Sequence, residues 1–238
     1  MRPICPKGEI VLTIKVAVLL SADGMCFMCK ILQVNPQSPD QRVLEQAAEI
    51  MRQGGIIAFP TETFYGLAAD HQKTEALVRL AELKAREGSK PFPLILSSRN
   101  EVFVLCEQVN EAAKELMARY WPGPLTLVLP ARASLPPQLR SVQGGVGVRL
   151  SPHPVAMGLA KVLGRAITAT SANLATCPPA KQLADLQQEM HCKLDLLLDA
   201  GMCPAVTPST VLDLMGPVPV VLRPGAIKKQ SDWQIAHR

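Results

Sequence analysis

Three short segments hold the residues best able to do chemistry. The first, Pro60-Thr61-Glu62-Thr63-Phe64-Tyr65-Gly66-Leu67, follows the apolar run Ile56-Ile57-Ala58-Phe59. An apolar run cut off by proline and hydroxyl residues predicts a buried strand that delivers a loop to the edge of a sheet. If the chain stays extended past Pro60, Thr61, Thr63 and Tyr65 alternate to one side. Three hydroxyls on one face can hydrogen-bond a small polar ligand; the same residues also suit a strand end capped by an ordinary turn. The second segment is Leu83-Lys84-Ala85-Arg86-Glu87-Gly88-Ser89-Lys90-Pro91. Residues two apart on a helix point about 200° from each other. Lys84 and Arg86 therefore converge on one ligand only if the helix ends between or just after them, and Glu87-Gly88-Ser89 with Pro91 predict that end. The pair reads either as cations complementing a helix C-terminus or as an anion clamp, lysine giving a point charge and arginine a planar fork for carboxylate or phosphate. The third segment, Thr168-Ala169-Thr170-Ser171-Ala172-Asn173, leaves a strand expected over Ala166–Thr170. Ser171 and Asn173 can face the same side of an extended exit. Short polar groups at the C-terminal end of a strand occupy the usual ligand crevice of an open α/β sheet; a turn built on Ser or Asn is the alternative.

Other chemistries find little support. The sequence has no GxxxxGK[ST] loop and no GxGxxG after a strand, which excludes a P-loop enzyme and argues against a dinucleotide fold. The four histidines, His71, His153, His191 and His237, form no Ser/His/Asp order, and His153 in Ser151-Pro152-His153-Pro154 reads as a loop residue. Seven cysteines are too sparse for a disulfide scaffold and odd in number, which predicts reduced thiols and an intracellular, cytoplasmic protein. Cys26-Phe27-Met28-Cys29 lacks a second CxxC, and His191-Cys192 lacks matching ligands, so no metal site is expected from them.

The elements that must position these segments alternate. Helices are predicted from Val43 to Met51, from Thr74 along Leu77, Leu80, Ala81 and Lys84, and over Glu111–Tyr120, Pro154–Leu163 and Pro179–Met190. Strands are predicted at Ile56–Phe59, Leu94–Leu96, Leu125–Leu129, Val146–Leu150, Ala166–Thr170, Leu194–Leu198, Thr210–Leu214 and Val218–Leu222. Such alternation means α/β, and the helix-free end of the chain requires some antiparallel pairing. With 238 residues, 48% of them hydrophobic, the chain can bury a sizeable core, and with 4% aromatics that core must be aliphatic. Few rings also argue against a stacking platform for single-stranded nucleic acid. A net charge of +5 suits an anionic ligand such as a nucleotide, or loose contact with RNA. The apolar run Ile10–Leu20, interrupted by Lys15, is too short to span a bilayer. Residues 1–35 are expected to be a poorly ordered extension or the product of a start codon assigned too early, and residues 36–238 a single domain.

Together the three segments resemble the YrdC-like family, the threonylcarbamoyl-AMP synthases also called TsaC. That family carries a PT[DE]TxYGL strand exit, a K-x-R pair followed by KP, and an S-x-N element after a TSAN-like strand. Here these are Pro60–Leu67, Lys84/Arg86 with Lys90-Pro91, and Ser171/Asn173. Further matches are Trp121-Pro122-Gly123-Pro124-Leu125-Thr126, Val148-Arg149 before His153-Pro154, Pro208-Ser209-Thr210-Val211 and Leu222-Arg223-Pro224-Gly225-Ala226-Ile227, in one order over about residues 40–228. Glu62 stands where aspartate is more usual, and Glu87-Gly88-Ser89 replaces a more common proline-bearing segment.

The resemblance implies a twisted mixed parallel and antiparallel sheet flanked by helices, with a basic concave face. It implies a nucleotidyltransferase that makes threonylcarbamoyl-adenylate and pyrophosphate from L-threonine, bicarbonate or CO2, and ATP, with Mg²⁺ carried by the ATP phosphates. The product would feed threonylcarbamoyladenosine modification of tRNA through a separate transferase complex. By the same resemblance Thr61, Thr63 and Tyr65 line the threonine side. Lys84 neutralises a carboxylate or carbamate, and Arg86 the phosphates. Ser171, Asn173, Arg149, Ser209 and Arg223 hold the nucleotide. Two other readings remain: carbamoyl transfer through carbamoyl-adenylate, and a tRNA-, double-stranded-RNA- or ribosome-binding paralogue without synthase activity. No membrane contact is expected.

Overall fold

The computed structural model describes residues 14–20, 26–84, 90–174, 177–204 and 207–228. Along the chain run β1 (Ile14–Leu20), β2 (Cys26–Gln33), α1 (Gln41–Arg52), β3 (Ile57–Phe59), β4 (Gly66–Ala68), α2 (Thr74–Leu83), β5 (Leu94–Ile95), α3 (Val102–Leu105), α4 (Glu111–Tyr120), β6 (Leu125–Pro130), β7 (Gly145–Arg149), α5 (Pro154–Leu163), β8 (Ile167–Thr168), β9 (Thr170–Ser171), α6 (Gln188–His191), β10 (Leu196–Asp199), β11 (Thr210–Asp213) and β12 (Val220–Arg223).

The strands are divided between two sheets, β1-β2-β10-β3-β4-β9 and β12-β11-β6-β7-β5-β8. Pairing is mixed in both. β10 lies parallel to β2 and β3, and β6 parallel to β11, whereas β3–β4, β4–β9 and β6–β7 are antiparallel. The α/β class and the mixed pairing match the sequence reading. One core fills the space between the sheets, with Ala58, Leu67 and Leu197 from the first facing Leu94, Leu127 and Val148 from the second. A second core lies under α1 and α5, where Ile57, Phe59, Leu196 and Leu198 meet Val43, Ala47, Val155 and Leu159. The central strands β3 and β10 are thus buried on both faces. That is why they read as unbroken apolar runs rather than as alternating patterns.

Helices with strong end signals form where expected. The Asn110 side chain accepts from Ala113 N at 2.8 Å at the start of α4. Pro154 opens α5, and Gly164 closes it in the left-handed region at φ 78°. The predicted helix over Pro179–Met190 does not form, and only a short 3₁₀ turn (Leu183–Asp185) and the one-turn α6 appear. There the Asp185 carboxylate accepts from Lys181 N (2.9 Å) and Gln182 N (3.2 Å), while the carbonyls of Ala180 and Lys181 accept from Tyr65 N and Cys203 N. Local side-chain bonds and long-range backbone bonds outcompete the helix.

The predicted strand Ala166–Thr170 is split at Ala169. β8 pairs with β5 in one sheet, β9 with β4 in the other, and Ala169 N donates to Pro93 O (2.8 Å) between them. This stretch joins the sheets and carries Ser171 to their junction. The expected N-terminal extension falls partly outside the described residues; of those described, β2 pairs with β10, and Leu32 and Val34 are buried.

Candidate functional site

Phe59 pairs with Gly66, so Pro60–Tyr65 is the hairpin loop between β3 and β4. The loop bends rather than staying extended. Thr61 Oγ1 accepts from Thr63 N (3.1 Å), donates to Phe64 O (2.7 Å) and lies 3.1 Å from Thr63 Oγ1. With the Thr61 proton committed to Phe64 O, the Thr63 hydroxyl is the donor between the two threonines. The structure does not bring Tyr65 onto their face. Its ring is fully buried, and its hydroxyl donates to Gly201 O (2.9 Å) and accepts from Ala200 N (3.0 Å). Burial raises its phenol above the ordinary tyrosine range, so the hydroxyl is a neutral structural tie.

α2 ends at Leu83 with Lys84 as its C-terminal cap, so the helix stops where convergence of the second motif requires. The Lys84 side chain is buried. Its Nζ donates to Ser171 O (2.8 Å), Asn173 Oδ1 (3.1 Å) and Asn173 O. Ser171 Oγ donates to the same Asn173 Oδ1 (2.6 Å), and Asn173 Nδ2 donates to Cys177 O (2.5 Å). Residues nearly ninety positions apart in the chain thus form one knot. The hairpin loop is tied to it, since Gly66 pairs with Ser171 and Ala172 N donates to Tyr65 O (2.8 Å). Arg86 lies outside the described residues.

A second polar group adjoins the first. Arg149, at the end of β7, donates through Nη1 to Glu62 Oε1 (2.6 Å), and Ser151 Oγ donates to Glu62 Oε2 (2.5 Å). Arg223, at the end of β12, donates to Ser209 O (Nη2 2.9 Å, Nε 3.2 Å) and Ser209 Oγ (2.9 Å), and Ser209 Oγ lies 3.2 Å from Thr126 Oγ1. Gly225 permits this contact. A Cβ there would sit 2.5 Å from Pro208 O and against the Thr210 backbone nitrogen. Desolvation and the nearby Arg149 charge both lower the pKa of Arg223, the mark of two cations held close together. Burial lowers the pKa of His153 against the opposing pull of Glu62. The His153 ring caps α5, Nδ1 accepting from Val155 N (3.3 Å).

Of the sequence-derived residues, the structure groups Lys84 with Ser171 and Asn173, and Ser209 with Arg223 beside Arg149. Sequence reasoning missed Glu62, Ser151 and Thr126 as partners in these groups. Glu62 lies inside the first motif, and an acidic residue flanked by two threonines was the available signal. Cationic donors gathered at strand ends can hold anionic groups and stabilise charge growing on them.

Residues 49–225 match the Sua5/YciO/YrdC family model, described as telomere recombination. The threonylcarbamoyl-AMP synthase of Pyrococcus abyssi is 37% identical over 184 residues, covering 76% of this chain and 53% of the relative. That of Nitrosococcus oceani is 36% identical over 175 residues, covering 74% of this chain and 94% of the relative. The solved structure of P. abyssi Sua5 complexed with L-threonine superposes with a TM-score of 0.78 at 34% identity, covering 82% of this chain and 57% of that one. The chain therefore spans about half the length of its Pyrococcus relative and nearly all of the Nitrosococcus one. Among the described residues no helix is long and apolar enough to cross a membrane.

Proposed function

The chain belongs to the Sua5/YciO/YrdC family, and we propose that it is a nucleotidyltransferase joining L-threonine, bicarbonate or CO2, and ATP into threonylcarbamoyl-adenylate with release of pyrophosphate. The observation that carries this reading is the Lys84–Ser171–Asn173 knot beside the Thr61–Thr63 loop, three separate sequence motifs meeting at one place.

The threonine amine attacks CO2, loses a proton and becomes a carbamate. A carbamate oxygen attacks the α-phosphorus of ATP, the bond from that phosphorus to the bridging oxygen breaks, and pyrophosphate leaves. The nucleophile belongs to the substrate, so the protein's work is positioning and charge stabilisation. Thr61 and Thr63 line the threonine side, and buried Tyr65 backs their loop. Lys84 neutralises the carboxylate or carbamate by its charge, its N–H groups being engaged by Ser171 and Asn173. Arg86 takes the phosphates. Ser171 and Asn173 hold the nucleotide near its α-phosphate, with Arg149, Ser209 and Arg223 along the rest. Mg²⁺ arrives on the ATP phosphates. The product feeds threonylcarbamoyladenosine formation on tRNA by a separate transferase complex, and the protein works in the cytoplasm.

The test is pyrophosphate release by purified full-length chain with ATP, Mg²⁺ and bicarbonate, with and without L-threonine. Release that requires threonine is expected. Release independent of threonine would favour carbamoyl-adenylate chemistry, and no release from folded protein would favour an RNA-binding role.

A further inference from the structure

Glu62 has no role in the chemistry above, yet its carboxylate meets one of the site's cations. Its side chain is 14% exposed, and that of its partner Arg149 is 7% exposed. Both carboxylate oxygens are engaged, Oε1 by Arg149 Nη1 at 2.6 Å and Oε2 by Ser151 Oγ at 2.5 Å. Glu62 sits on the β3–β4 hairpin of one sheet, and Arg149 ends β7 of the other. The direction of the carboxylate is set locally, because Thr61 and Thr63 on either side are locked together by their hydroxyls.

We infer that Glu62 is a positioning residue that aims Arg149 at the nucleotide and ties that arginine to the threonine-side loop. This rests on the synthase reading for what Arg149 binds. Guanidinium has five N–H donors in a fixed fork. Glu62 takes one through a single nitrogen, which anchors one arm of the fork and leaves other donors for an anion. It also offsets repulsion between Arg149 and Arg223, whose charges are close enough to disturb each other. A carboxylate that merely stapled the sheets would affect both substrates alike. A carboxylate that aims Arg149 affects the nucleotide selectively.

Calorimetric titration of Mg²⁺-ATP, and separately of L-threonine, into full-length wild type, Glu62→Gln and Ser151→Ala separates these cases. Gln keeps the size and one acceptor oxygen but loses the charge. Loss of a charge-assisted bond is expected to raise the ATP Kd of Glu62→Gln about tenfold and that of Ser151→Ala about threefold, with threonine Kd held within about twofold in both. A folded Glu62→Gln with wild-type ATP affinity, or with ATP and threonine weakened equally, overturns the inference. If Glu62→Gln does not fold, Ser151→Ala decides: a selective loss for ATP supports the inference, and no loss overturns it. A wild type that binds ATP, shows these selective losses and releases no pyrophosphate with threonine would sink the synthase reading while leaving Glu62 as positioner. A wild type that binds no ATP overturns both.

Discussion

At the seam between the sheets, Asp70 meets Arg165 through both oxygens, at 2.9 and 2.6 Å, and accepts from Gln72 N at 3.0 Å. Nearby, Glu101 accepts from Ser97 N, Ser97 Oγ and Ala166 N at 2.6–2.8 Å. In this cluster each carboxylate oxygen has a donor, and Asp70 is matched by one guanidinium. The candidate site is built the other way. Arg149 and Arg223 are two cations close enough to disturb each other; Arg149 meets the Glu62 carboxylate and Arg223 is held by a serine, while Lys84 donates to carbonyl and amide oxygens. Both clusters sit at sheet junctions, but in one a carboxylate meets one guanidinium, and in the other two guanidiniums share the neighbourhood of one carboxylate. A second guanidinium beside a matched pair repels the first unless an anion lies between them. The seam holds the two sheets in register, and under the proposed function the site uses that register to hold an anion.

This contrast can be broken by experiment. The largest effect on stability is expected at the seam. Asp70→Asn leaves Arg165 facing a neutral partner, and breaking a mostly buried pair costs about 3 kcal/mol, at the low end because Arg165 still reaches water. Urea unfolding should show that loss while pyrophosphate release per folded molecule is unchanged. At the site the signs reverse. Arg223→Ala should raise the ATP KM about tenfold, as expected for one lost charge-assisted contact, with the unfolding midpoint unmoved. Gly225→Ala, which pushes a methyl group into the Pro208–Thr210 backbone, should shift ATP KM in the same direction by displacing Ser209 from Arg223; steady-state kinetics at fixed threonine would show it.

The pH dependence gives smaller effects. Burial alone would raise the Asp70 carboxyl, but the Arg165 hydrogen bond, the Gln72 backbone N–H and the Arg165 charge together hold it below the usual range. Its contribution is therefore whole above the unfolded value of about 3.9 and is lost as pH falls through the lower folded value. Asp70→Asn should flatten that acid limb in urea midpoints measured between pH 3 and 6. For His153, burial disfavours the charged ring, so its contribution is whole above the unfolded value of about 6.5 and fades as pH drops below it. His153→Asn keeps a capping side chain and should remove that shallow slope in thermal midpoints.

Legibility followed locality. α4 and α5 could be read to the residue, because Asn110, Pro154 and Gly164 mark their ends within the helices' own neighbourhood. The stretch 179–190 looked helical by spacing, yet the carbonyls of Ala180 and Lys181 are taken by Tyr65 and Cys203, partners no local pattern reveals. Ala166–Thr170 reads as one strand because nothing in its residue types announces a change of sheet at Ala169. The site was legible as three motifs but not as a circuit. Glu62 and Arg149 are 87 positions apart, and Lys84 and Asn173 are 89 apart, so their pairing is a product of topology. Tyr65 shows the limit of alternation arguments, since a bend at Thr61–Phe64 sends its hydroxyl to Ala200 and Gly201 instead of to the threonine face.

The most direct test of the proposed site is Lys84→Met, which replaces a buried ammonium with a side chain of similar length. Threonine-dependent pyrophosphate release and the thermal midpoint would be measured on the same preparations as wild type. The account predicts at least an ~100-fold fall in release per folded molecule, as for loss of a preorganised electrostatic group, with a lowered thermal midpoint because Ser171 O and Asn173 Oδ1 lose their buried donor. A folded Lys84→Met that releases pyrophosphate at the wild-type rate would contradict it.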